Sequence, residues 1–114
     1  MAEYLVLLYE DEAGYAQADE QVMKEIMVAH NEFGQKWAAQ LKGGNALQGS
    51  ATATSIRGGA ADPVVTDGPF AETKELLNGY YLIEAADLDE ALKIAKDVPV
   101  RFGGVEVRPI MTFE

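Results

Sequence analysis

No cysteine occurs in the chain, which excludes disulfides, thiolate zinc sites and cysteine nucleophiles together. Histidine appears once, at His30. One imidazole among scattered carboxylates makes a poor transition-metal site, so no metal is expected. Positive charge is scarce as well: 9 Lys and Arg face 19 Asp and Glu, a formal charge of −10. Such a field repels phosphate backbones and anionic lipid, so direct binding to nucleic acid or a membrane is disfavoured. A basic protein surface stays compatible, and the plainer role of the acid excess is solubility. Long hydrophobic runs are missing: the early run flanked by Glu3 and Asp11 is too short to span a bilayer and has no leader pattern. A soluble, cytoplasmic protein is the expectation. With 114 residues, 48% of them apolar, the chain suffices for one core, a single domain over 1–114.

Several stretches carry strong local signals. Glu3 to Tyr9 reads as a strand that is apolar at both parities, with Tyr4, Val6 and Leu8 on one face and Leu5, Leu7 and Tyr9 on the other. Residues 10–18 read as a polar loop. From about Asp19, a candidate N-cap, to Lys42 the spacing predicts the longest helix, stopped by Gly43-Gly44. Its buried stripe is Val22, Met23, Ile26, Met27, Phe33, Trp37 and Leu41, and His30 lies within that arc. Asn45 to Gln48 suggests a short strand. Ala51 to Arg57 and Pro63 to Thr66, joined through Gly58-Gly59, suggest a hairpin.

Next comes Asp67-Gly68-Pro69-Phe70-Ala71-Glu72-Thr73-Lys74-Glu75. Asp-Gly-Pro is strong turn chemistry, because Asp bonds its own backbone, Gly admits positive φ and Pro fixes φ. Tyr80 to Ala85 reads as a strand with Tyr81 and Ile83 on one face. Asp87 opens a second helix with Glu90 completing a capping box, an inner face of Leu88, Ala91, Leu92 and Ala95, and a stop at Asp97-Val98-Pro99. Val105 to Phe113 reads as the last strand.

This order is β-α-β, an inserted hairpin, then β-α-β. It predicts an α+β fold, a ferredoxin-like sandwich with both helices on one side of the sheet. Two helices cannot cover both faces, yet Leu5, Leu7 and Tyr9 are apolar. A second copy of the chain is the simplest cover, so a homodimer with facing sheets is expected.

The Asp67–Glu75 stretch resembles, nearly letter for letter, the signature of the DGPF-domain branch of the YCII-related family. The likeness extends to Tyr4-Leu5-Val6-Leu7-Leu8-Tyr9, to Gly79-Tyr80-Tyr81-Leu82-Ile83-Glu84-Ala85 with Leu88-Asp89-Glu90-Ala91, and to Val105-Glu106-Val107-Arg108-Pro109. The resemblance implies a dimeric α/β barrel. It also implies a small organic ligand and a site built on a histidine and an aspartate, since some members act on lactones or related rings as hydrolases, isomerases or dehydrochlorinases. No organic cofactor is needed for lactone hydrolysis or isomerisation. Many DGPF proteins are encoded near extracytoplasmic-function sigma factors, which implies a regulatory partner as the alternative.

His30 matches the histidine that such relatives carry on the first helix. It serves as general acid or base, or else as a core histidine bonded to one carbonyl. Two aspartates compete to orient it. Asp67 belongs to the signature and has the competing role of holding its turn. Asp97 is similar to an Asp-Pro corner of some relatives, with one residue inserted, but by helical phase it faces solvent. Arg57 and Arg108 are the strand-borne cations, suited to hold an anionic group of a substrate or to pair with acids such as Glu84 and Glu106. Tyr9 joins them as a substrate-binding candidate, with a core or interface ring as its other reading. The glycine pairs lack the spacing of a phosphate-binding loop.

Overall fold

A computed structural model describes residues 1–113. The chain opens with β1 (Ala2–Asp11), a short helix α1 (Glu12–Ala16) and the long helix α2 (Glu20–Lys36). Then follow β2 (Leu41–Ala46), a 3-10 turn at Ser50–Thr52, β3 (Thr54–Arg57), β4 (Val64–Asp67), β5 (Glu75–Ala85), α3 (Leu88–Ala95) and β6 (Gly103–Pro109). Two antiparallel sheets result: four strands in the order β2-β5-β1-β6, and the separate β3-β4 hairpin. Over the described residues the fold is mixed α+β with three α-helices. The single chain does not close into a barrel, and its envelope is a slab of 48 × 43 × 18 Å.

The sheet has two unlike faces because β1 alternates strictly. Tyr4, Val6, Leu8 and Glu10 are buried, while Leu5, Leu7 and Tyr9 are half-buried. The buried parity meets Ile83 and Ala85 of β5, Phe33 of α2, and Ala91, Ile94 and Ala95 of α3, with Val98 beyond it. Across the register, Leu5 stands beside Leu82 and Arg108, and Leu7 beside Tyr80 and Glu106, on the face without helices.

Local chemistry sets the helix starts. Asp19 accepts from the Val22 N–H at 2.9 Å, and Asp87 accepts from the Glu90 N–H at 2.9 Å while Glu90 reaches back to the Ala86 N–H. Each satisfies donors that a first turn leaves open. The end of α2 departs from expectation. Trp37, not Lys42, closes it, and the Gln40 and Leu41 N–H groups turn back onto the Trp37 carbonyl. The Gly43-Gly44 pair lies in β2, where a Cβ on Gly44 would stand 2.7 Å from the Tyr80 carbonyl. Close strand approach is what requires glycine there.

Other expectations shift for similar reasons. The polar loop at 10–18 is the end of β1 plus α1, capped by the Asp11 carboxylate. Of the α2 stripe only Phe33 is buried, and Met27 is 67% exposed. The first half of α2 overhangs an open cleft that Met23 lines, so no core receives its apolar side chains. On α3 Ile94 is fully buried and Leu88 and Leu92 are exposed, because the contact face runs through Ala91, Ile94 and Ala95. The last strand stops at Pro109, leaving Met111 and Phe113 in solvent.

Candidate functional site

Between α2, the central strands β1 and β5 and the 45–49 segment lies a cleft of about 580 Å³. Its walls include Leu8, Met23 and Leu47, and its polar points include Glu10, His30, Asn78 and Tyr81. That size and mix suit a small ligand buried in an apolar groove with few orienting groups.

His30 enters from α2 and Tyr81 from β5. The Tyr81 hydroxyl and His30 Nδ1 are 2.7 Å apart, and the rings lie nearly parallel at 29° with centroids 6.0 Å apart. Phe33, three residues on along the helix, leans on the other part of Tyr81 at 4.9 Å. The pair is therefore fixed from one side by packing. Burial pushes the His30 pKa below its ordinary value, and the Glu10 carboxylate and the Pro99 backbone carbonyl oppose the shift in part. Burial pushes Tyr81 up. At neutral pH the site holds a neutral imidazole against a protonated phenol, a base next to a hydrogen-bond donor.

Glu10 is the acid of this cleft. It is 1% exposed, the fourth member of the Tyr4, Val6, Leu8 parity, and it survives burial because its oxygens are occupied. Oε1 accepts from the Tyr15 hydroxyl at 2.7 Å and from the Asn78 amide at 2.9 Å, and Oε2 accepts from the Phe102 N–H at 3.0 Å. Tyr15 is in turn set edge-on against Phe102, centroids 5.1 Å apart. Burial and then the neighbouring Glu10 carboxylate push the Tyr15 pKa strongly upward, so it stays a donor. Nearby, Glu12 accepts from both the hydroxyl and the N–H of Ser50, which holds its pKa down and staples α1 to the 3-10 turn.

The other expected residues lie elsewhere. Asp67 is exposed at the end of β4, outside the lining of the His30 cleft. Its turn is held by the Gly68 N–H donating to the Ala53 carbonyl at 2.7 Å and by the Ser55 hydroxyl donating to the Gly68 carbonyl at 2.8 Å, with Gly68 at φ 102°. Asp97 is exposed too. It accepts from the Trp37 indole at 2.9 Å and pairs with Lys36 at 2.7 Å, contacts that lower its pKa.

Arg57 stacks 4.0 Å above the Phe70 ring and donates to the Phe70 carbonyl, so it braces the elbow. Arg108 and Tyr9 sit on the helix-free face, where the Tyr9 hydroxyl donates to Glu106 at 3.3 Å. Tyr9 also borders a second cleft of about 790 Å³ between that face and the elbow residues Pro69 and Phe70. Thus His30 meets neither aspartate nor either arginine. Glu10, Tyr15, Asn78 and Tyr81 escaped the sequence reading. A parity signal existed for Glu10, an acid closing an apolar alternation, and for Tyr81, which shares its parity with Ile83. Among the described residues no three metal-ligating side chains come together, and no helix is long and apolar enough to cross a membrane.

The family model for the YCII-related domain matches residues 2–114. An uncharacterized protein of Rhizobium meliloti (strain 1021) is 38% identical over 118 residues, covering 97% of this chain and 94% of that protein. With a match that spans nearly the whole chain, including every strand and helix described above, the protein belongs to the YCII-related family.

Proposed function

We propose that the cleft binds a small organic molecule and that His30 moves a proton on it, in hydrolysis or isomerisation of a lactone-like ring. The observation that carries this reading is the 2.7 Å contact between His30 Nδ1 and the Tyr81 hydroxyl at the wall of a mostly apolar groove. A neutral imidazole takes a proton from water or substrate, and Tyr81 holds the ring in place through its contact with Nδ1. Glu10 takes the place expected for an aspartate, acting on the imidazole through its charge. The test is a panel of lactones followed for ring opening or isomer formation. His30→Gln is expected to lower any turnover by about 10²- to 10⁴-fold, and unchanged turnover removes His30 from the chemistry.

The ferredoxin-like assignment and the dimeric barrel belong to the same proposal. The order β2-β5-β1-β6 with α2 and α3 on one face supports the first. The half-buried apolar residues Leu5, Leu7, Tyr80 and Leu82 on the other face support a second copy of the chain as their cover. A regulatory rival has its own supporting feature. Ile56, Val64, Val65 and Phe70, on the hairpin and elbow, are each more than half exposed, a surface suited to a protein partner such as a sigma factor. Loss of partner binding in a Val65→Lys variant with intact lactone turnover would separate the two.

A further inference from the structure

The His30 cleft has formal charge of one sign only. Among its lining residues the charged side chains are Glu10 and Glu12, and no Lys or Arg is present. Both carboxylates bond inward, Glu10 to Tyr15, Asn78 and Phe102 and Glu12 to Ser50, which leaves a ligand no cation to meet. The strand-borne cations are committed elsewhere, Arg57 to Phe70 and Arg108 to the opposite face of the sheet. His30 is held in an environment that favours its neutral form.

We infer that this cleft selects uncharged ligands and rejects carboxylates. The inference deepens the proposed reading, since it names the class of substrate that site takes. A carboxylate entering the cleft loses water and meets the buried Glu10 charge with no cation among the lining residues to offset either cost. An isosteric neutral molecule meets neither. For a like charge about 6 Å away at an effective dielectric near 20, the expected discrimination is about 100-fold in affinity.

A consequence for hydrolysis follows from the balance of the step. Water adds to the lactone carbonyl carbon, His30 takes one water proton and returns it to the ring oxygen as the ring C–O bond breaks, and the new carboxylic acid releases its proton to solvent. A neutral ring enters and an anion leaves, so the same charge that admits substrate expels product.

The test uses two isosteric, unreactive probes, phenylacetamide and phenylacetate, titrated at neutral pH into the full chain. The ring resonances of His30, the single histidine, report occupancy by NMR. The expected result is a His30 shift with the amide at concentrations at least about ten-fold below those the carboxylate requires. The gap should narrow in Glu10→Gln, provided a thermal melt shows that variant folded. Equal affinities at His30 in the unsubstituted protein would overturn charge selection while leaving the proton-transfer reading intact. If neither probe moves His30 although calorimetry detects binding, the cleft is not the ligand site and the underlying reading falls with it.

Discussion

At the scale of single residues, Glu10 has the most distinctive environment. A carboxylate that is 1% exposed stays in the fold because three donors converge on it. Replacement by Leu strands the Tyr15 hydroxyl, the Asn78 amide and the Phe102 N–H, at about 1–3 kcal/mol each. Glu10→Leu should therefore lose at least about 3 kcal/mol in urea denaturation, and Glu10→Gln less. Normal stability in the leucine variant would refute the network. His30 supplies a pH signature of known sign. Its folded pKa lies below the ordinary value, so the unfolded chain takes up the proton first as pH falls. The stability tied to the neutral ring is complete above about pH 6.5 and is lost as pH falls from there toward the folded pKa. Denaturation midpoints measured across this window should fall for the parent protein and flatten in His30→Gln.

At the scale of elements, glycine placement decides which strands approach closely. A Cβ on Gly103 would stand 1.9 Å from the Tyr9 carbonyl, whereas one on Gly104 meets nothing within 4 Å. Gly103→Ala should push β6 off β1 and cost at least about 1–3 kcal/mol, with Gly104→Ala much milder. Similar melting temperatures for the two would contradict the β1–β6 register. The start of α3 depends on one side chain. Asp87→Ala should cost about 1 kcal/mol and fray the turn that sets Ala91 against the sheet, visible as faster amide exchange at the Glu90 N–H. The Asp67–Glu75 elbow behaves as a braced corner. Arg57 over Phe70 and Ser55 onto Gly68 hold it.

At the scale of the whole molecule, the slab is covered on one side only. The proposed face-to-face pair predicts a mass of twice the 12.3 kDa chain by light scattering at micromolar concentration. Leu7→Lys, at the centre of the open face beside Tyr80 and Glu106, should return the monomer. Two copies at −10 each repel one another, so association should strengthen as salt rises from low to physiological levels. Weaker association with added salt would point to ion pairs holding the interface.

The α+β order, the hairpin, the caps at Asp19 and Asp87 and the two parities of β1 were legible in the residues, because alternation, capping and turn chemistry act within a few positions. The end of α2 was not legible, since glycines that look like a helix stop serve a strand crossing that brings Gly44 onto Tyr80. Nor was the acid beside His30. Asp67 and Asp97 carry the recognisable local motifs, but Glu10 reaches the cleft only because β1 runs two residues further, Tyr15 folds back from the helix that follows, and Asn78 and Phe102 arrive from distant parts of the chain. Spacing along a chain fixes which side chains share a face. Which polar groups meet across that face depends on long-range packing and on satisfying every buried hydrogen bond, and the tertiary structure alone decided that.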